Sequence, residues 1–129
     1  MVETVLTKEM IDSGAHLIRR LDERSIQPDA AFWLYFPDKE TWKLVIAEMQ
    51  VSKLGPKQGY QKIQQVLREF DEEIPQLALD DITLLDTDAP VVSLLRSAIR
   101  TGPGISGIRF KGNVINGTVV EDAYIYRLN

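Results

Sequence analysis

A glycine-rich segment flanked by arginines is the first part of this chain whose residue types and spacing could do chemistry. The residues concerned are Arg96, Arg100, Gly102, Gly104, Ser106, Gly107 and Arg109. Successive backbone N–H groups of a glycine-rich turn can form a concave donor site, and an arginine can bind phosphate or carboxylate through two donors. The spacing therefore predicts a loop that could bind a small anion or a peptide terminus.

The position of this segment in the chain limits that interpretation. It follows a predicted helix and precedes a predicted strand, whereas a phosphate-binding loop follows a strand and opens a helix. Ser106 also lacks the G-x-S-x-G setting of an activated serine nucleophile. A plain helix-to-strand connection is the alternative to a ligand-binding or partner-binding loop.

Four carboxylates form a second candidate site. Glu48 lies near the end of a predicted strand, and Asp86 and Asp88 follow the next strand, so these three converge if the strands are parallel neighbours. Glu121 falls on the C-terminal hairpin. Carboxylates that converge can bind Mg²⁺ or Mn²⁺, so this set, with an arginine on the phosphate, would suit a metal-dependent phosphodiesterase or nuclease. Helix capping explains Asp86 and Asp88 without a metal.

The spacing around Glu48 is also similar to a known family pattern. Pro37-Asp38, followed by Glu48-Met49-Gln50, resembles the PD-(D/E)xK nucleases, with glutamine in the position of their lysine, and the resemblance covers fourteen residues. It implies that the two carboxylates hold Mg²⁺ and that the last residue helps to position the attacking water. The intervening strand would hold Asp38 and Glu48 roughly 20 Å apart at about 3.3 Å per residue, which opposes this arrangement.

Other catalytic chemistries find little support. The chain contains no cysteine, so a disulfide framework, a thiolate nucleophile and a cysteine-ligated metal site are excluded. His16 is the single histidine, and its helical spacing places it in solvent beside Asp12. A Ser-His-Asp triad or a multi-histidine site would depend on this one exposed residue. We expect no cofactor and no metal, and an enzyme is the less favoured class.

Aromatic residues suggest a surface for protein partners. Tyr124 and Tyr126 share one face of the C-terminal hairpin with Val120 and Arg109. This face can pack against a helix, or it can form the aromatic and arginine centre of an interface. A sheet that ends in a hairpin also offers an edge to a second copy or to another protein. Self-association is the favoured of these alternatives.

Composition favours a single globular domain covering residues 1–129. With 129 residues and 44% hydrophobic content, one core is expected. Fifteen basic and nineteen acidic residues give a net charge of −4, which disfavours general nucleic-acid binding. Residues Met1–Met10 lack the features of a signal peptide, and no apolar stretch is long enough to span a membrane. We therefore expect a cytoplasmic protein that does not bind membranes.

Periodicity and turn residues predict eight elements before any chemistry is assigned. Thr7 caps a first helix that runs to about Arg24. The third helix has capping oxygens in Asp86–Ala89 and its first-turn proline at Pro90, and Gly102-Pro103 ends it. The remaining predicted elements are strands at Ala30–Phe36, Trp42–Val51 and Ile82–Leu85, a helix from Pro56 to about Glu69, and two C-terminal strands.

The C-terminal hairpin is the most sharply predicted element. Asn116-Gly117 fits a two-residue type I′ turn and fixes the register of the flanking strands. The predicted apolar face consists of the pairs Val114–Val119, Phe110–Ala123 and Ile108–Ile125. The predicted pairs on the other face are Lys111–Asp122 and Arg109–Tyr124. Glu121 would lie opposite Gly112 on the apolar face, at a bulge, at an exposed sheet end or in a pocket.

The elements together predict an α/β (α+β) protein with the order α-β-β-α-β-α-β-β and one mixed sheet of about five strands. For function, the residues favour a small, soluble, non-enzymatic protein-interaction or regulatory module. It would act through the Gly102–Gly107 loop and the C-terminal hairpin. The metal-dependent phosphodiesterase or nuclease that uses Glu48 is the alternative.

Overall fold

The computed structural model describes residues 5–24, 26–48, 55–74 and 77–129 of the chain. Its order of elements is the predicted one, with a short additional 3₁₀ helix at Leu79–Asp81. The helices are α1 (Lys8–Glu23), α2 (Pro56–Glu69) and α3 (Pro90–Ala98), and the strands are β1 (Ala30–Phe36), β2 (Thr41–Ala47), β3 (Ile82–Leu85), β4 (Ile108–Ile115) and β5 (Thr118–Leu128).

The five strands form one mixed sheet in the order β3-β2-β1-β5-β4. β2 and β3 are parallel, and every other neighbouring pair is antiparallel. The mixed α/β class and the number of strands are therefore confirmed. Because β2, β3 and β5 all run in one direction, their carboxyl ends lie at the same end of the sheet.

Helices cover both faces of this sheet. Leu17 and Leu21 of α1 and Ile63 of α2 pack in a core on one face. Val92 and Leu95 of α3 pack in a second core on the opposite face. β2 is an interior strand with helices packed on both sides of the sheet, which explains why it is apolar on both faces.

The start of α1 follows the predicted capping chemistry. The Thr7 side chain accepts a hydrogen bond from the Met10 N–H at 3.1 Å, which satisfies one of the N–H groups that a helix start leaves unpaired. The buried face of α1 carries Gly14, on which a Cβ would clash with the Tyr126 hydroxyl. Glycine at this position therefore lets α1 lie close to β5.

The register of the C-terminal hairpin is confirmed pair by pair, from Ile115 opposite Thr118 to Ile108 opposite Ile125. Asn116 and Gly117 have φ values of 48° and 80°, as a type I′ turn requires. A turn with two residues in the left-handed region matches the twist of the two strands, so the local sequence decides this element.

The predicted apolar face of the hairpin is wrong near the turn. Val114 and Val119 are 65% and 64% exposed, whereas Ile115 and Val120 are buried in the α3-side core. The change of face occurs at Gly112, whose φ of 63° interrupts the extended conformation in which successive side chains alternate.

The predicted ends of α3 are also wrong. Its N-cap is Ala89, which makes no side-chain capping bond, so Asp86 and Asp88 do not cap it. The helix ends at Ala98 rather than at Gly102, because the backbone is extended at Ile99 and Thr101 exchanges hydrogen bonds with Leu128. β2 likewise ends at Ala47, and residues 49–51 of its predicted length lie outside the described residues.

Candidate functional site

The carboxyl ends of the parallel strands bring two of the predicted acids together. Glu48 and Asp86 directly follow Ala47 and Leu85, which are paired across β2 and β3. The Glu48 N–H also donates a hydrogen bond to the Leu85 carbonyl oxygen at 3.2 Å. This is the convergence that the sequence predicts for parallel neighbours, at the end of the sheet where open α/β proteins bind ligands.

Glu48 lies in an environment that disfavours its charge. The residue is only 6% exposed, and burial raises the pKa of its carboxyl group above its ordinary value. Lys62 of α2 opposes this rise, and Asp29 adds to it. A desolvated carboxyl group at a strand end is a feature of catalytic sites, although buried structural carboxylates share it.

The predicted partners of Glu48 are arranged differently from a metal centre. An Asp86 carboxylate oxygen accepts hydrogen bonds from the Asp88 N–H and the Thr87 hydroxyl, so this acid closes a turn. Asp88 itself is exposed. Across the described ranges, no three histidine, aspartate or glutamate side chains are grouped closely enough to hold a metal ion.

Asp38 and Glu121 both lie far from Glu48. Asp38 belongs to the turn between β1 and β2, so the seven residues of β2, roughly 23 Å, separate it from Glu48. The carboxylate pair implied by the nuclease resemblance therefore does not converge, and Met49 and Gln50 lie outside the described residues. Glu121 is exposed on the hairpin, also towards the turn end of β1.

The glycine-rich loop runs along β5 instead of curling around a ligand site. The Thr101 N–H donates to the Leu128 carbonyl oxygen at 2.9 Å, and the Ser106 N–H donates to that of Tyr126 at 2.6 Å. Gly102, Gly104 and Gly107 all avoid positive φ values. Gly107 has a packing reason to be glycine, because a Cβ there would clash with the Tyr124 hydroxyl. The loop is thus an irregular extension of β4 beside β5.

A buried arginine that sequence reasoning missed holds this loop. Arg127 is 3% exposed, and its guanidinium binds both Asp22 carboxylate oxygens, at 3.0 and 2.7 Å. It also donates to the carbonyl oxygens of Pro28 at 3.0 Å and Gly104 at 3.3 Å. One side chain therefore connects β5, α1 and the loop. The available signal was a charged residue between Tyr126 and Leu128, in the apolar second half of β5.

A cleft of about 200 Å³ beside this ion pair bears on anion binding. Its lining includes Pro103 of the loop together with Asp22, Asp29 and Arg127. Two carboxylates border the cleft, and the guanidinium already binds one of them. The cleft therefore offers an anion no uncompensated positive charge.

Two of the three predicted arginines, Arg96 and Arg100, make no contact with this cleft. Arg96 donates to the backbone oxygens of Asn129 at 3.1 Å and Thr87 at 3.3 Å, so it fastens α3 to the carboxyl end of the sheet. Arg100 is exposed at the start of the loop. Of the three predicted arginines, Arg100 and Arg109 are thus exposed, and Arg96 is partly buried.

The aromatic face of the hairpin mostly packs against α1. Tyr126 is 1% exposed, donates its hydroxyl to the Ile11 carbonyl oxygen at 2.5 Å and accepts a hydrogen bond from the Trp33 indole at 3.0 Å. Tyr124 lies edge-on against Tyr126 and is partly buried. Of the two alternatives for this face, helix packing therefore holds for Tyr126.

Arg109 makes contacts in addition to the predicted pair with Tyr124. Its guanidinium binds both oxygens of Asp122, each at 2.6 Å, and lies 5.6 Å from the Trp42 ring centre. The predicted cross-strand pairs of Lys111 with Asp122 and of Arg109 with Tyr124 are confirmed in the register of the strands. Arg109 binds Asp122 in addition, because the flat guanidinium fits a carboxylate through two donors. These bonds raise the pKa of Arg109, so the residue stays charged.

His16 contacts Glu73, in the turn that follows α2, rather than its neighbour Asp12. Its Nδ1 lies 3.1 Å from a carboxylate oxygen of Glu73, which also binds Arg20 at 2.7 Å. Arg20 and Arg24 both lie over the Phe70 ring. His16 therefore belongs to a partly exposed ionic cluster that joins α1 to the end of α2.

The exposed part of the hairpin is the second candidate site. β1 pairs with β5 only from Ala123 onwards, so the hairpin extends past the rest of the sheet. β4 is an edge strand of eight residues, and no strand of the described chain pairs with its outer side. The exposed Val114–Val119 pair stands near the turn of this edge.

Comparison with protein-family models, curated proteins and solved structures finds no match for this chain. No helix in the described ranges is long and apolar enough to cross a lipid bilayer.

Proposed function

We propose that this protein is a non-enzymatic protein-interaction module that binds a partner through the outer part of its C-terminal hairpin. The observation that carries the proposal is the exposed cross-strand pair of Val114 and Val119, at 65% and 64% exposure. Only Val5 is a comparably exposed large hydrophobic residue in the described part of the chain. We call Val114, Val119 and the outer edge of β4 the hairpin surface.

Physical chemistry supports this surface in two ways. When a partner covers an apolar side chain that is two-thirds exposed, its removal from water lowers the free energy of the complex. An edge strand in addition presents backbone N–H and C=O groups that a second strand can pair. The Gly102–Gly107 loop precedes β4 along the same edge, so a partner strand that follows β4 would reach the loop as well.

The experiment places a photo-cross-linking amino acid at Val119, with the same substitution at Val5 as the matched control. We expect the cross-linker at Val119 to form a discrete adduct with the partner. Unlabelled wild-type protein should abolish this adduct, because it competes for the same partner. A Val114→Lys/Val119→Lys variant should not compete, because it places charges in the contact. Equal labelling at Val5 and Val119, or competition by the double variant, would contradict the proposal.

A second candidate function rests on the convergence of Glu48 and Asp86 at the carboxyl end of the sheet. A divalent metal held there would serve a phosphodiesterase or nuclease. Since a ligand of the folded state stabilises it by mass action, Mn²⁺ should raise the thermal midpoint of the wild type relative to EDTA, but not that of Glu48→Gln. Equal midpoints with Mn²⁺ and with EDTA in the wild type would exclude this candidate.

A further inference from the structure

We propose that the partner of the hairpin surface is a second copy of this chain, whose β4 pairs antiparallel with the first β4 around a twofold axis. The inference rests on the proposed function and names the partner. Its product would be a continuous ten-stranded sheet, with five strands from each copy. A twofold contact of this kind uses the same surface on both copies.

The two edges of the sheet differ in their suitability for such pairing. β3 has four residues, and the Tyr60 hydroxyl accepts a hydrogen bond from its Leu84 N–H at 2.9 Å. A side chain from α2 thus occupies a backbone donor that a new strand would need. β4 is twice as long, and no strand of the described chain lies along its outer side. Pairing is therefore expected at β4.

The sequence of β4 favours one register of self-pairing. Ile108 and Ile115 lie at its two ends, and both pack on the α3-side core because the strand changes face at Gly112. When Ile108 lies opposite Ile115 of the second copy, the apolar side chains on that face meet. In the same register Lys111 lies opposite Gly112 of the second copy, so the two lysines do not oppose each other. The two bends at Gly112 then come together at the axis.

On the other face of the sheet, this register brings apolar side chains beside an arginine that is already paired within its own copy. Val114 lies opposite Arg109 of the second copy, and the row continues to Val119 on one side and to Tyr124 of the second copy on the other. Asp122 neutralises the Arg109 guanidinium within each copy. The exposed valines would therefore cover an aromatic and paired-arginine surface rather than an isolated charge.

The oligomeric state in solution is the first test. Sedimentation velocity over a concentration series should show the purified chain passing from one copy to two. Val114→Lys should raise the dissociation constant roughly tenfold or more, because it would bury an ammonium group without a partner in an apolar contact. Val5→Lys is the matched control and should leave the dissociation constant unchanged. A single copy at every concentration would overturn the inference.

Disulfide cross-linking tests the register, and the absence of native cysteine makes each introduced thiol unambiguous. Arg109→Cys/Val114→Cys should form a covalent dimer on oxidation, because opposed residues lie within the Cα separation that a disulfide accepts. Arg109→Cys/Val119→Cys, with one thiol on β5, should remain uncross-linked. Thermal unfolding checks that both variants fold. The register would be overturned if Arg109→Cys/Val114→Cys dimerises without forming the covalent dimer, or if Arg109→Cys/Val119→Cys forms one.

Failure of this inference is distinguishable from failure of the proposed function. If the photo-adduct at Val119 contains a different protein while the purified chain stays a single copy, the hairpin surface is retained and the second copy is wrong. If Val119 gives no specific adduct, the proposed function itself is wrong.

Discussion

Arg127 shows how a single residue can position a candidate functional segment. Its buried guanidinium binds the Asp22 carboxylate and the carbonyl oxygens of Pro28 and Gly104. A buried charge of this kind is tolerated because its donors are satisfied. Removing the carboxylate would leave the guanidinium in a site with too few acceptors, so the cost should exceed that of losing a surface ion pair.

We predict that Asp22→Asn destabilises the protein by roughly 2–4 kcal/mol, because it leaves the buried Arg127 guanidinium without its carboxylate partner. The loss should be smaller than for a fully buried pair, since the Asp22 side chain is 27% exposed. Asp12→Asn, on the exposed side of the same helix, should change stability by less than about 0.5 kcal/mol. Chemical unfolding measures both, and amide exchange at Ser106 should accelerate in Asp22→Asn. Equal stability of the two variants would show that the ion pair does not hold the loop.

Individual residues were predictable from sequence only where the chain is locally regular. Glu48 was recognisable as a polar residue near the end of an apolar strand, and its burial agrees with that signal. The carboxylate that binds Arg109 was not predictable, because side-chain directions across two strands decide whether Arg109 contacts Tyr124 or Asp122. The partner of Arg127 lies 105 residues away in the chain, and no local pattern encodes that contact.

At the scale of elements, turn chemistry was the reliable guide. Asn116-Gly117 determined the whole register of β4 and β5, since both residues adopt the left-handed conformation that the turn demands. The same sequence did not reveal that Gly112 would change the face of the strand. A glycine inside a strand is compatible with several conformations, so the exposure of Val114 became evident only in the structure.

The end of α3 illustrates competition between local and tertiary signals. Gly102-Pro103 is a strong helix stop, and it marks the last position at which the helix could end. The chain leaves the helix earlier, at Ala98, since Thr101 makes two hydrogen bonds with the end of β5. The sheet thus determines the path of the glycine-rich loop.

At the scale of the whole molecule, the sequence specified the order of the elements but not their arrangement. The position of β1 between β2 and β5 requires a contact between strands about ninety residues apart, such as Leu34 with Ala123. This arrangement leaves β4 as an edge and places Glu48 beside Asp86. Both candidate sites therefore follow from strand order, which periodicity cannot supply.

The pH dependence of global unfolding provides a prediction at this scale. The pKa of Glu48 is raised chiefly by burial, so the folded state binds a proton more tightly than the unfolded state. The contribution of Glu48 to stability should therefore be lost as pH rises from the ordinary value of 4.5 through the raised pKa. The pKa of Glu73 is lowered, mainly by its hydrogen bond from Arg20, and this contribution is lost as pH falls through the lowered value.

Glu48→Gln and Glu73→Gln should consequently change the stability of the protein in opposite directions relative to the wild type. Thermal midpoints measured against pH should show Glu48→Gln gaining stability over the wild type above pH 4.5, with the gain reaching a plateau once the wild-type carboxyl group is ionised. Glu73→Gln should be less stable than the wild type above pH 4.5, because neutral glutamine cannot replace the ionised partner of Arg20, and this deficit should shrink as pH falls through the lowered pKa of Glu73. A Glu48→Gln difference that stays constant across pH would mean that the Glu48 pKa is equal in the folded and unfolded states. The buried carboxyl group would then carry no electrostatic cost, because Lys62 would offset both burial and Asp29 in full.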